Sequence, residues 1–203
     1  VNKQTLIKAL DDVAGIDHQV ADALALVGYP EPRTAPGGFP ALLSIVVNQQ
    51  ISKEAARAIL GRLENLMPGT TAEAFLAQPD EALQAAGLSR PKIRYGKGIA
   101  EAVASGTVPI EDFPGMPDDE IIAALTGLKG IGLWSAEIYC MFSLGRPDLF
   151  PGEDIALQEA MKRLKGLDAR PAPKLARELA LGWSPWRSAM SVFLWHYYRG
   201  APA

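Results

Sequence analysis

The stretch "LTGLKGIGLWSAEIYC", residues 125–140, sets glycines at 127, 130 and 132 between two apolar runs. Glycine weakens both helix and strand interiors, so a cluster this dense makes the chain turn. Asp118 or Asp119 can cap a helix running to about Leu125, Gly127 suits its stop, and Ile131 or Gly132 starts a second helix ending near Gly145. A tight turn between two helices results. At the start of the second helix, the glycines at 130 and 132 leave backbone N–H groups uncovered, so that a phosphate can approach without meeting a Cβ atom. Lys129 adds a positive charge beside them. Glycine turns also join helices for packing alone, so the turn by itself leaves both uses open.

Elsewhere apolar residues recur at helical spacing, as in Leu42, Ile45 and Val46 and in Ala55, Ile59 and Leu63, and no sustained alternation suggests strands. An all-α chain is expected, with about ten helices punctuated by Pro and Gly. No fixed-period repeat is present, and "YPEPRTAPGG" is the only stretch that resembles a linker. At 203 residues and 48% apolar, the chain can bury a core of one or two lobes. No apolar run approaches the roughly 20 residues that span a bilayer, and "VNKQTLIKALDDVAG" lacks a signal-peptide pattern, so a soluble intracellular protein with no membrane partner is expected. Cys140 is the only cysteine, and His18 and His196 are the only histidines. An internal disulfide framework, an ordinary zinc site and a four-cysteine iron–sulfur cluster are excluded.

A net charge of −3 argues mildly against a nucleic-acid partner, but its distribution matters more. "GLSRPKIRYGKG" carries Arg90, Lys92, Arg94 and Lys97 without an acid, and residues 161–177 add six basic residues against Asp168. The N-terminal segment is acid-rich, with Asp11, Asp12, Asp17, Asp22 and Glu31. Solvated helix faces carry similar clusters.

The turn is followed, about twenty residues on, by a Gly/Pro-rich loop "LFPGED" that ends at Asp154. With "VNQQIS", "GLSRPKIRYGKGIA" and "GWSPWRSAMSVFLWH" in the same order, the chain resembles the helix-hairpin-helix (HhH-GPD) DNA glycosylases beyond about Phe39. Within them it is most similar to the alkylated-base branch, 3-methyladenine DNA glycosylase II. The resemblance implies two α-helical lobes with the active-site cleft between them. One spans about residues 38–135 and ends with the hairpin; the other combines about 1–37 with 136–203. The β-rich N-terminal domain of many bacterial relatives is not expected here.

It also implies an activity: hydrolysis of the N-glycosidic bond of alkylated, cationic methyl-purines in DNA, leaving an abasic site. Breaking that bond develops positive charge on the sugar, which a carboxylate stabilises, and Asp154 matches the family's catalytic aspartate. Read locally, Glu153 and Asp148 compete for the role, and Asp154 can instead cap the helix "IALQEAMKRL". Electron-rich aromatics favour a cationic base. Trp134 and Trp195 match the family's pocket aromatics. Trp186, nine residues before Trp195, falls on the opposite face of a continuous helix and is assigned to packing. Where the branch often has a tyrosine, one turn after the hairpin tryptophan, Ile138 stands with Tyr139 beside it, which implies a roomier or less selective pocket.

Gln50 matches the wedge that fills the space of a flipped-out base. Lys129, Gly130, Gly132, Arg90 and Lys92 are the expected DNA contacts. The carbonyls of Thr126, Leu128 and Ile131 match those that hold a structural monovalent cation, Na⁺ or K⁺, in the family's hairpin; no cofactor is expected for catalysis. A lyase branch would place a lysine where Trp134 stands, so a monofunctional enzyme is implied. The implied partner is double-stranded DNA carrying damaged bases, bound by a monomer in the cytoplasm or at the nucleoid. Two alternatives remain: a glycosylase for other lesions (ethenoadenine, hypoxanthine, oxidised purine) and a non-catalytic damaged-DNA-binding hairpin protein.

Overall fold

The computed structural model describes residues 2–200; residues 1 and 201–203, the outer ends of the second expected lobe, lie outside the described residues. All regular structure among them is helical. Two compact units emerge, one formed by residues 35–139 and the other by residues 1–34 with 140–203.

The continuous unit contains α3 (Gly38–Asn48), α4 (Lys53–Leu66), α5 (Ala72–Leu76), α6 (Asp80–Ala85), α7 (Arg90–Ala104), a 3₁₀ turn (Phe113–Gly115), α8 (Asp118–Thr126) and most of α9 (Leu133–Phe142). Ser52 and Thr71 cap α4 and α5 by accepting from the N–H groups of Ala55 and Ala74. Leu42, Leu43, Val46 and Val47 make α3 the central helix of this core, and Phe39 meets Phe75 edge to face at 5.6 Å.

The discontinuous unit contains α1 (Lys3–Ala14), α2 (His18–Val27), the end of α9, α10 (Ile155–Lys165), α11 (Pro173–Ala180), a 3₁₀ turn (Leu181–Trp183) and α12 (Arg187–Gly200). Its core gathers Leu6 and Leu10 of α1, Leu157 and Met161 of α10, and Met190, Phe193 and Leu194 of α12. Asp17 caps α2 and also accepts from Lys165 (2.6 Å) and Trp183 (2.9 Å). Burial alone would raise its pKa, but those donors and the Lys165 charge outweigh it and lower the value.

Three local expectations are corrected. Pro117, not Asp118 or Asp119, precedes α8, and both aspartates lie in its first turn, where acids favour the helix dipole. The second hairpin helix starts at Leu133 and stops at Phe142. Trp186 precedes α12, so no shared helix relates it to Trp195. Trp186 is half-buried, its indole N–H donates to Asp12 at 3.1 Å, and Lys8 lies 5.7 Å from its ring. None of the described helices is long and apolar enough to cross a membrane.

Candidate functional site

The hairpin of residues 127–132 joins α8 to α9. Gly127 donates back to Ala123, and Ile131 donates to the Leu128 carbonyl at 3.1 Å, which closes the turn. Gly130 has φ +96°, and a Cβ there would lie 2.8 Å from Cγ of Tyr95, so the turn packs flat on α7 only with glycine in place. Nothing stands within 4 Å of a Cβ at Gly132, which is exposed and faces open space. Lys129 is exposed too. Together with Arg90, Arg94, Lys97, Tyr95 and Leu128 it lines a groove of about 720 Å³. Within it Lys97 is paired with Asp80 at 2.6 Å and Arg94 lies over the Tyr95 ring, while Arg90 is exposed at the start of α7.

Lys92 departs from its expected place. Its ammonium donates to the carbonyls of Val47 (2.7 Å) and Gln49 (2.8 Å), and burial lowers its pKa. It ends α3 and shapes the turn that follows, because a cation suits the carbonyl end of a helix. Gln49, next to the expected wedge, donates to the Gly130 carbonyl at 2.8 Å and ties that turn to the hairpin. No property of "NQQIS" separates the two glutamines; the backbone does. Gln50 adopts φ +58° and its side chain is exposed, so the same turn that directs Gln49 inward presents Gln50 to solvent.

Trp134, the second residue of α9, is 39% exposed. Ile138 lies one turn further on the same face and is half-buried. Tyr139, expected beside the base, belongs instead to the core: it is 1% exposed, its ring meets Phe113, and its hydroxyl accepts from the Gly38 N–H. One step along a helix rotates a side chain by about 100°, which takes it away from the face shared by Trp134 and Ile138. Thr126 ends α8 with its hydroxyl donating to the Ile122 carbonyl at 2.7 Å; Leu128 and Ile131 lie in the turn.

In the other unit, Asp154 ends the loop "LFPGED" and caps α10, its Oδ1 accepting from the Leu157 N–H at 3.0 Å. The loop behind it is held from three sides. Gln158, 5% exposed, donates to the Gly152 carbonyl at 2.7 Å. Arg177 donates to the Phe150 carbonyl at 2.5 Å and pairs with Glu153. Gly152 leaves no room for a side chain, since a Cβ would fall 2.9 Å from the Pro173 carbonyl oxygen. Asp148 is gripped by Arg187 at 2.7 and 3.0 Å and by Ser184 at 2.7 Å. Burial by itself raises its pKa, but these donors and the arginine charge prevail and lower it.

The basic run 161–177 is also largely spoken for: Arg163 with Glu159, Lys165 with Asp17, Arg177 with Glu153. Trp195 is 8% exposed, with a tilted Phe142 ring at 6.0 Å and the Arg33 guanidinium at 5.6 Å from its ring centre. Of the expected DNA contacts and base contacts, the exposed ones are Gln50, Lys129, Gly132, Arg90 and Trp134.

Residues 43–185 match the family described as HhH-GPD superfamily base excision DNA repair protein. Over 198 residues the chain is 30% identical to DNA-3-methyladenine glycosylase 1 of Schizosaccharomyces pombe, covering 94% of this chain and 87% of that protein. Among solved structures, the S. pombe 3-methyladenine DNA glycosylase in complex with abasic DNA matches with a TM-score of 0.83 and 30% identity, over 93% of this chain and 95% of that one. A DNA-3-methyladenine glycosidase from Bacillus halodurans matches with a TM-score of 0.85 and 34% identity, over 94% and 88% of the two chains.

Proposed function

The chain belongs to the HhH-GPD superfamily of base excision DNA repair proteins, and from that premise we propose that it is a DNA glycosylase releasing alkylated purines and leaving an abasic site. The observation that carries this reading is the seat of Asp154, a half-buried carboxylate at the start of α10, at the end of a loop locked by Gln158 and Arg177. As the bond from sugar C1′ to the base nitrogen breaks, the electron pair leaves with the base and positive charge appears on the sugar. Asp154 stabilises that charge, water adds to C1′, and its proton passes to the carboxylate. A methylated purine is already cationic and leaves without much acid assistance, so selection rests on stacking.

Trp134 is assigned to stacking on the base and Gln50 to filling the vacated duplex position. The exposed N–H end of α9 at Gly132, with Lys129 and Arg90, is assigned to phosphates. The carbonyls of Thr126, Leu128 and Ile131 would hold a monovalent cation: neutral peptide oxygens at a turn suit an alkali ion, whose charge adds to the phosphate attraction. Replacing K⁺ by a bulky organic cation at constant ionic strength should weaken binding to undamaged duplex, which needs no catalysis to measure. We assign the protein to the monofunctional, type II kind and to action as a monomer on genomic DNA, because Trp134 stands where a lyase would carry its amine and water must then be the nucleophile.

Incubation with methylated duplex should release free base while the strand stays intact until heat or alkali is added, and borohydride should trap no covalent adduct. Prompt nicking with a trapped adduct lost in Lys129→Ala would replace the monofunctional reading with a lyase. Binding without release of any base would leave a non-catalytic damage-binding protein.

A further inference from the structure

Arg33, from the proline-rich segment after α2, and Arg199, in the last turn of α12, line one recess of about 270 Å³ with Tyr29, Glu31 and His196. Like charges in one recess repel: desolvation of the Arg33 guanidinium and then the charge of Arg199 lower its proton affinity. An arginine nevertheless keeps its proton at neutral pH, so both cations persist. The one acid among the described lining residues, Glu31, is spent on Lys3 at 3.1 Å, and no ion pair with a described residue engages Arg33 or Arg199. The walls are fixed in advance. Tyr29 donates its hydroxyl hydrogen to Asp11 at 2.5 Å, and His196 donates from Nε2 to the Val27 carbonyl at 2.9 Å. Arg33 is held too: its guanidinium lies 5.6 Å from the Trp195 ring centre, and it shares with Leu6, Pro32, Met141 and Val192 an apolar cavity of about 10 Å³, room for one water at most.

We propose that this recess is a binding site for a phosphate group, held between the guanidinium groups of Arg33 and Arg199. An anion placed between two cations turns their repulsion into attraction for a shared partner, and hydrogen bonds between charged groups are the strong ones. The contact with Trp195 holds one guanidinium fork in place before binding, so little freedom is lost. A tetrahedral phosphate presents its oxygens in more than one plane and can serve both forks, whereas the two oxygens of a carboxylate are satisfied by a single fork. The site does not depend on the glycosylase reading. A backbone phosphate of DNA and a free phosphate are the two sources of the same chemistry.

The test is titration of the whole chain with inorganic phosphate, and in parallel with acetate, at constant ionic strength, read by amide NMR. Saturable shifts at the residues lining the recess are expected with phosphate and not with acetate. Arg33→Gln and Arg199→Gln should each weaken phosphate binding about 10-fold or more, the worth of a hydrogen bond to a charged group. Arg33→Lys, which keeps a charge but loses the fork, should recover part of that loss. Arg199→Gln, at the exposed end of α12, carries the test alone if Arg33→Gln does not fold. Duplex binding then separates the sources. With a backbone phosphate in the recess, Arg199→Gln lowers the slope of log affinity against log salt by about 1; an unchanged slope with phosphate binding retained in the wild type assigns a free phosphate. No saturable shift in the wild type, an equal response to acetate, or an unchanged phosphate affinity in Arg199→Gln overturns the site while leaving the glycosylase reading intact. Absence of base release with the phosphate response present overturns that reading alone.

Discussion

The loop before Asp154 and the hairpin before Trp134 do similar work by opposite means. The first is fixed by long side chains: Gln158 and Arg177 reach its carbonyls, and arginines hold the neighbouring acids. The second is fixed by the absence of a side chain: Gly130 lies on Tyr95, and the Gln49 amide holds its carbonyl, while Gly132 and Lys129 stay open to solvent. A carboxylate that must stabilise transient charge needs a preorganised seat, because reorganisation would erase its advantage. A phosphate contact needs close backbone approach, which any Cβ in the way would prevent.

The sharpest break of this contrast is Asp154→Asn. Asparagine caps a helix nearly as well as aspartate, so the melting temperature should stay close to wild type while base release falls on the order of 100-fold or more. Unfolding of the variant would reduce Asp154 to a cap. Next is Trp134→Ala, expected to cost about 1–3 kcal/mol in excision of cationic bases, the range for a lost base–aromatic stack. Because Trp134 is 39% exposed, thermal stability should change little; a large loss of stability would identify it as a packing residue.

Gln158→Leu leaves the Gly152 carbonyl without its buried donor, and stability should drop by about 1–3 kcal/mol in chemical denaturation. If the loop positions Asp154, kcat falls with KM for duplex unchanged; a pure stability loss with normal kcat would separate the loop from the chemistry. Gly132→Val has free space around the new side chain. It should therefore fold normally yet bind intact and damaged duplex several-fold more weakly and by the same factor, since phosphate contacts do not read the lesion. A loss confined to damaged DNA would move Gly132 into base recognition.

The smallest effect belongs to Asp148. Its folded pKa is lowered, so the stability it adds over Asp148→Asn is fully present above its unfolded value and fades as pH falls below about 4. The pair with Arg187 is bidentate but only partly buried, so about 1 kcal/mol is expected near neutral pH. A gap between the two proteins that persists at pH 2 would assign the effect to packing.

Helices, their breaks and the hairpin were legible in the sequence because they depend on neighbours in the chain: apolar spacing, and proline and glycine where a turn demands them. Asp154 as a helix cap is of the same local kind. What residues far along the chain decide was not legible. Lys92 looks like a solvated cation until the carbonyls of Val47 and Gln49 meet it; Tyr139 looks like a substitute for Ile138 until Gly38 takes its hydroxyl; Gln49 and Gln50 differ only through a left-handed backbone. Trp195 and Arg33 meet across more than 160 residues of chain. Side-chain type and spacing set which chemistry is available, whereas burial, partner and direction arise only when packing has brought distant segments together, as when two carbonyls take the Lys92 ammonium and the core takes Tyr139.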